Sequence, residues 1–227
     1  AQDWRVLAVD RGGDDPRLPY ALATSAELEA VVGAANEAGG KELVRAANAD
    51  AADVEAMAAV VATAEEWGEF EGIVANAGVI AGGAPAWELS QDEEDAVIET
   101  CLRGVMVAAR VGVPALLRRP APRRGRFVAT ASAASLRGLP GLAAYCAAKA
   151  GVSGFVAALG LDLRGTGVTA NAVAPGSTDT AILAESARLY GIDGAPAFAA
   201  QQPIERLIEP AESAAIEDST AIHMPAT

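Results

Sequence analysis

Tyr145-Cys146-Ala147-Ala148-Lys149 sets a phenol and an ammonium four positions apart. On a helix that spacing puts both on one face, a turn from each other. A cation so close favours tyrosinate and draws the tyrosine pKa toward the range useful to a general acid or base. Alone, a Tyr-x-x-x-Lys pair is more often an ordinary surface pair. Ser132 lies thirteen residues upstream, just after the apolar run Arg126–Thr130, where a hydroxyl can meet the same substrate oxygen. Ser135 competes for that role and reads better as a turn serine. Asn76-Ala77-Gly78 closes another apolar run with small residues that let a ligand come close. Asn171-Ala-Val-Ala-Pro175-Gly176-Ser-Thr-Asp-Thr180 closes a third in a rigid turn, and Asp10 ends a fourth.

These residues sit at the ends of strand-like runs, so the runs must form one frame. The candidate strands are 4–10, 42–48, 72–76, 126–130 and 168–173. Helix-like stretches of about 25–38, 53–67, 92–118 and 142–163 alternate with them. Asp53 and Ser90 carry side chains suited to capping the second and third of these. Strands alternating with helices of this length predict a parallel sheet covered on both faces. Pro114 removes a backbone donor inside the third helix and predicts a kink there. No repeat or linker divides the chain, so residues 1–227 read as a single domain.

The chain has 227 residues, 52% of them hydrophobic, enough for a sizeable core. A net charge of −13 opposes binding to nucleic acid, whose phosphates it would repel. No uncharged apolar stretch reaches about 18 residues, so no membrane partner is expected. Cys101 and Cys146 cannot build a disulfide framework and fit a reducing, cytoplasmic compartment; no secretory signal is visible at Ala1–Arg5. His223 is the single histidine, so neither a histidine-centred triad nor a multi-histidine metal site is expected. The arginines at 118, 119, 123, 124 and 126 read as a solvated loop, and Cys146 as a core residue.

The ordered set Asn76-Ala77-Gly78, Ser132, Tyr145-x-x-x-Lys149 and Asn171–Gly176 resembles the short-chain dehydrogenase/reductase family, from Trp4 to about Glu212. The resemblance implies a Rossmann-type doubly wound parallel sheet, a nicotinamide cofactor, and hydride exchange between an alcohol and a ketone or aldehyde. It implies that Tyr145 handles the substrate proton, that Lys149 lowers the tyrosine pKa and binds the nicotinamide ribose, and that Ser132 polarises the substrate oxygen. Asp10 would accept hydrogen bonds from the adenosine ribose, which implies NAD rather than NADP. Asp50 would lie beside the adenine, Asn76, Ala77 and Gly78 along the ribose, Pro175 and Gly176 against the nicotinamide, and Thr180 at its carboxamide. Finer similarity is to the mycofactocin-coupled subgroup, carried by Ala8-Val-Asp10-Arg11, the insertion from Asp14 to Ala23, Val79-Ile-Ala-Gly-Gly83 and Leu136–Lys149. That subgroup is described as holding NAD tightly and passing electrons to a peptide-derived partner.

The sequence departs from the family pattern in three places. No glycine-rich turn precedes Val6, and Gly165-Thr-Gly167-Val-Thr-Ala170 fits the motif only as text, because it enters a strand rather than a helix. The first strand and its turn are therefore expected to be missing from this sequence, with the vacant strand position falling between the runs at Val6 and Ile73. Cys101 stands where the family commonly has an asparagine that supports a proton relay; a small buried apolar role is expected for it. Ile216–Thr227 matches the family's last segment poorly, which bears on an expected homotetramer or homodimer. The alternative reading is a catalytically impaired remnant serving as a structural or partner subunit.

Overall fold

The computed structural model describes residues 4–222. Five short strands form, each of four or five residues: β1 Val6–Asp10, β2 Val44–Asn48, β3 Gly72–Ala75, β4 Arg126–Thr130 and β5 Thr169–Val173. Every pairing is parallel, as the alternation with helices requires. β1 pairs with β2, Asp10 lying opposite Asn48. β3, β4 and β5 pair in that order, Val74 opposite Val128 and Val128 opposite Asn171. Among the described residues no strand joins β1 to β3, so the sheet stands in two sections. Val6 and Val74 stay 47% and 51% exposed on these facing sections. A vacant strand position was expected at this interval.

The helices begin where their caps dictate. In α1 (Ser25–Gly39) Thr24 and Glu27 cap each other reciprocally, and Asp53 caps α2 (Val54–Trp67) by accepting from the Ala56 amide. Ser90 likewise opens α3 (Gln91–Ile98), whose first turn holds Asp92, Glu93 and Glu94 against the positive end of the dipole. Then the helix widens into a π-turn at Glu99–Arg103 before α4 (Gly104–Arg118) resumes. α geometry runs through Pro114, so the departure lies a dozen residues before the position the proline suggested. One face of β4 buries Phe127 and Ala129 against Val105, Ala109, Val113 and Leu116 of α4 and Val152 and Val156 of α5 (Ala143–Asp162). α7 (Pro210–Ile222) lies along β4 and β5.

Helices 91–118 and 143–162 are long and apolar enough to cross a membrane by length and composition, although neither holds 18 uncharged apolar residues in a row. Both pack on the sheet, the first more than half buried, while 143–162 keeps most of its apolar stretch accessible. The arginine cluster is also less solvated than expected. Arg126 is 8% exposed, and Arg123 donates to the Leu117 carbonyl at 3.0 Å. Beyond β5, residues 178–208 form a lobe with α6 (Ala181–Tyr190), a small core of Leu183, Ala187 and Phe198, and a base closed by Asp179 N to Ile208 O at 2.9 Å. His223 lies outside the described residues.

Candidate active site

The carboxyl ends of β3 and β4 carry the centre of the site. Thr130 closes β4; its carbonyl accepts from Lys149 Nζ at 2.6 Å, and its hydroxyl donates to Asn76 Oδ1 at 2.8 Å. Lys149 comes from α5 and is 3% exposed. The helical spacing brings it beside Tyr145, with Nζ 5.9 Å from the phenol ring centroid. Tyr145 is 9% exposed and belongs to a cluster with Val79, Ile80, Ala81 and Leu142. Ser132 follows β4 directly, caps the short turn Ala133–Ser135 and lies beside the Tyr145 phenol. Ser135 turns its hydroxyl back to the Ser132 carbonyl at 2.6 Å, a turn serine as expected.

The electrostatics differ from the simple cation argument. Burial pushes the Tyr145 phenol up to about 12, the buried Cys101 adds to this, and the Ser132 hydroxyl works against it. Desolvation wins because the ring is enclosed, while the Lys149 ammonium is committed to the Thr130 carbonyl.

At the carboxyl end of β1, Asp10 closes the strand and accepts from the Gly12 amide at 2.7 Å. Gly12 has φ +71, and a Cβ there would collide with the Asn48 side chain, so only glycine makes this turn. Asp50 follows β2, accepts from the Ala52 amide and pairs with Arg11 at 3.3 Å. Asn76 and Ala77 are exposed after β3, and Gly78 is half-buried beneath them. Pro175 and Gly176 are half-buried after β5. Thr180 is exposed and caps α6, accepting from the Leu183 amide at 3.4 Å. Ser132, Tyr145, Lys149 and Asn76 thus meet at β4, while Asp10 and Asp50 meet at the ends of β1 and β2.

The insertion singled out in the sequence at Asp14 to Ala23 forms a strap over residues 14–24, whose contacts the sequence did not reveal. Asp15 is buried at 2% and bonds Arg11 at 2.8 Å and Arg17 at 2.8 Å; Arg17 continues to Glu99 at 2.6 Å. These guanidiniums hold the Asp15 carboxyl well below the usual carboxylate range. Tyr20 Oη accepts from the Ile80 amide at 2.9 Å, and Leu18, Tyr20 and Leu22 pack on the Tyr145 cluster. The alternation of these three apolar residues was the available signal. The strap thereby ties the segment after Asp10 to the loop after Asn76-Ala77-Gly78. Cys146 was expected in the core; it is half-buried beside a surface groove lined by Ser135, Leu136 and Arg137.

Residues 15–190 match the family model described as short chain dehydrogenase. The chain is 38% identical over 137 residues to the 2-dehydro-3-deoxy-L-rhamnonate dehydrogenase (NAD(+)) of a Sphingomonas strain, covering 59% of this chain and 54% of that protein. It is 38% identical over 171 residues to a putative ketoacyl reductase of Streptomyces coelicolor, covering 71% and 63%. The chain therefore spans between half and two-thirds of the length of these relatives. Among solved structures, levodione reductase superposes with a TM-score of 0.83 at 27% identity, covering 96% of this chain and 90% of that one. With the parallel sheet, the residues gathered at β4 and a family match across most of its length, the chain belongs to the short-chain dehydrogenase family.

Proposed function

We propose that the protein is an NAD-dependent oxidoreductase that interconverts an alcohol and a ketone or aldehyde, with Tyr145 as general acid and base. The observation that carries this reading is the gathering of Ser132, Tyr145 and Lys149 around the end of β4. Asp10 offers acceptors at the adenosine end, and Gly78 leaves open the space beside Lys149, where a Cβ would come within 3.7 Å of Nζ. The dinucleotide, when bound, supplies or accepts the hydride.

The chain's own residues do the rest. Tyr145 gives its phenol proton to the carbonyl oxygen in reduction and takes the hydroxyl proton in oxidation. Ser132 donates to the same oxygen, and Lys149 stabilises the phenolate. Val79, Ile80, Ala81 and Leu142 exclude water from that proton transfer. An acid at Asp10 repels a 2′-phosphate, favouring NAD over NADP. Tyr145→Phe keeps the ring and removes the proton; turnover of an alcohol substrate should fall at least about 10²-fold. Undiminished turnover would sink the assignment. Calorimetry on the parent protein should show NAD bound more tightly than NADP, and equal dissociation constants would remove the role given to Asp10.

The finer reading is coupling to a mycofactocin-type electron acceptor. Its support is the strap, which the Tyr20–Ile80 and Arg17–Glu99 contacts lay across the groove. A dinucleotide held under it should survive gel filtration, and its reoxidation should need an added acceptor rather than free exchange. The free thiols Cys101 and Cys146 fit the cytoplasm. The small exposed residues Ala143, Ala147, Ala150 and Gly154 along α5 suit a homo-oligomeric contact. The alternative of a structural subunit without turnover draws no support from a site whose acid, cation and hydroxyl are assembled.

A further inference from the structure

α6 divides its inward positions between two faces. Leu183 and Ala187 join Phe198 in the small core of the lobe. Ile182, Glu185, Ser186 and Leu189 recur at the helical spacing of three and four, and Ile182 and Leu189 pack on the cluster that contains Tyr145. The walls of that cluster are tied to one another: Tyr190 Oη donates to the Pro140 carbonyl at 2.9 Å, and the Gly83 amide donates to the Gly141 carbonyl at 2.9 Å. Glu185 thus sets a carboxylate, 8% exposed, on an otherwise apolar face. Arg188 meets it at 2.6 Å from the solvent side, itself 58% exposed. An exposed pair within one helix would contribute little, and burying its carboxylate costs free energy while adding nothing to the core around Phe198. The reaction proposed above gives Glu185 no role.

Tyr20 of the strap packs on the same cluster. Its Oη accepts from the Ile80 amide at 2.9 Å, and its own proton has no acceptor among the described residues. The Glu185 charge acts on this phenol, yet no hydrogen bond joins the two. Glu185 receives three contacts from Arg188, Nε to both carboxylate oxygens and Nη2 to one, and keeps acceptor capacity beyond them. A donor and an acceptor therefore stand near each other, unbonded, at the cluster that holds the Tyr145 ring. We propose that Tyr20 and Glu185 form a subsite for a second hydroxyl group of the substrate, Tyr20 donating a hydrogen bond to its oxygen and Glu185 accepting one from it. This rests on the reaction proposed for Tyr145: the reacting oxygen meets Tyr145 and Ser132, and the second oxygen meets the strap and α6. The substrate class is a diol or hydroxy ketone on an apolar carbon frame. Arg188 balances the Glu185 charge, so an ammonium in place of that hydroxyl gains little, and a carboxylate meets the repulsion of Glu185. Both residues set specificity, and neither handles the transferred proton.

The test compares cyclohexanol with the cyclohexanediols, ring amino alcohols and ring hydroxy acids as substrates of the full-length protein loaded with NAD. At least one diol should exceed cyclohexanol by about tenfold or more in kcat/KM, because a site built to bond a hydroxyl rejects the analogue lacking it. The amino alcohols and hydroxy acids should show no such gain. Tyr20→Phe removes the donor; Glu185→Leu removes the acceptor and leaves Arg188 to water. Each should bring the diol-to-cyclohexanol ratio to about one. That ratio cancels any general loss of activity, and melting curves check folding; should Glu185→Leu not fold, Tyr20→Phe alone decides. A ratio near one for every diol in the parent protein would overturn the inference, and so would a preference that survives the substitutions. Calorimetry of diol and cyclohexanol on the parent protein and on Tyr145→Phe reads the same preference without turnover. A Tyr145→Phe protein of full activity would instead overturn the underlying reaction while leaving that binding preference intact.

Discussion

At Tyr145 enclosure and the Ser132 hydrogen bond pull in opposite directions, and enclosure wins in the protein alone. A phenol held at about 12 stays protonated at neutral pH, ready to give its proton to a carbonyl; alcohol oxidation must first remove it. Tyr20 is pushed up to about 12 as well, again chiefly by burial. Both phenols ionise near 10 in an unfolded chain. Their contribution to stability is therefore complete below about pH 10 and is lost as pH rises toward 12, because the unfolded chain releases those protons first. Ultraviolet titration should show all three tyrosines ionising late, Tyr190 raised by burial too and Tyr20 and Tyr145 latest, and Tyr145→Phe should remove one of the latest steps. Loss of a step near pH 10 instead would show that the ring is not desolvated. The Tyr145–Lys149 stripe and Ser132 were legible because a helix period and a strand end fix where side chains go. The pKa direction was not, because desolvation depends on Val79, Ile80 and Leu142, which reach the ring through tertiary packing.

Among the elements, the strands and the four helical stretches up to 163 could be read from apolar runs and caps, to within a residue or two at their ends, with α3 and α4 read as one helix. The π-turn could not, since its hydrogen bonding leaves no mark on a continuously helical pattern. The lobe of α6 and the strap also escaped, because each builds its own small core or ion network from residues scattered in sequence. In the strap, Asp15 is the anchor: its side chain is 1% exposed, yet it meets two guanidiniums that keep partial contact with water. Its depressed pKa adds stability above the ordinary carboxylate value near 4, and that stability is lost as pH falls below it. Asp15→Asn should destabilise the protein by about 3 kcal/mol at pH 7, by somewhat less at pH 3, where the unfolded chain but not the fold has begun to take up the proton, and the gap should keep narrowing as pH falls further. A melting temperature difference that is equal at both pH values would refute the ionic anchor.

Across the whole molecule the division of the sheet decides where stability resides. β4 is the one described strand with strands on both sides, and it also lies between α4 and α5 on one face and α7 on the other. β1 and β3 each present one edge without a strand partner among the described residues, and the exposure of Val6 and Val74 follows from that. The two sections are joined through helices, chiefly α2 against α4, rather than through a ladder of backbone bonds. Backbone groups bonded on one side only open with less free energy than those enclosed on both, so protection should be graded rather than uniform. Hydrogen exchange of the 227-residue chain should find the β4 amides slowest, those of β5 intermediate, and the facing edges of β1 and β3 among the fastest in the sheet. Exchange in β1 and β3 as slow as in β4 would mean that a further strand or another chain covers those edges in solution.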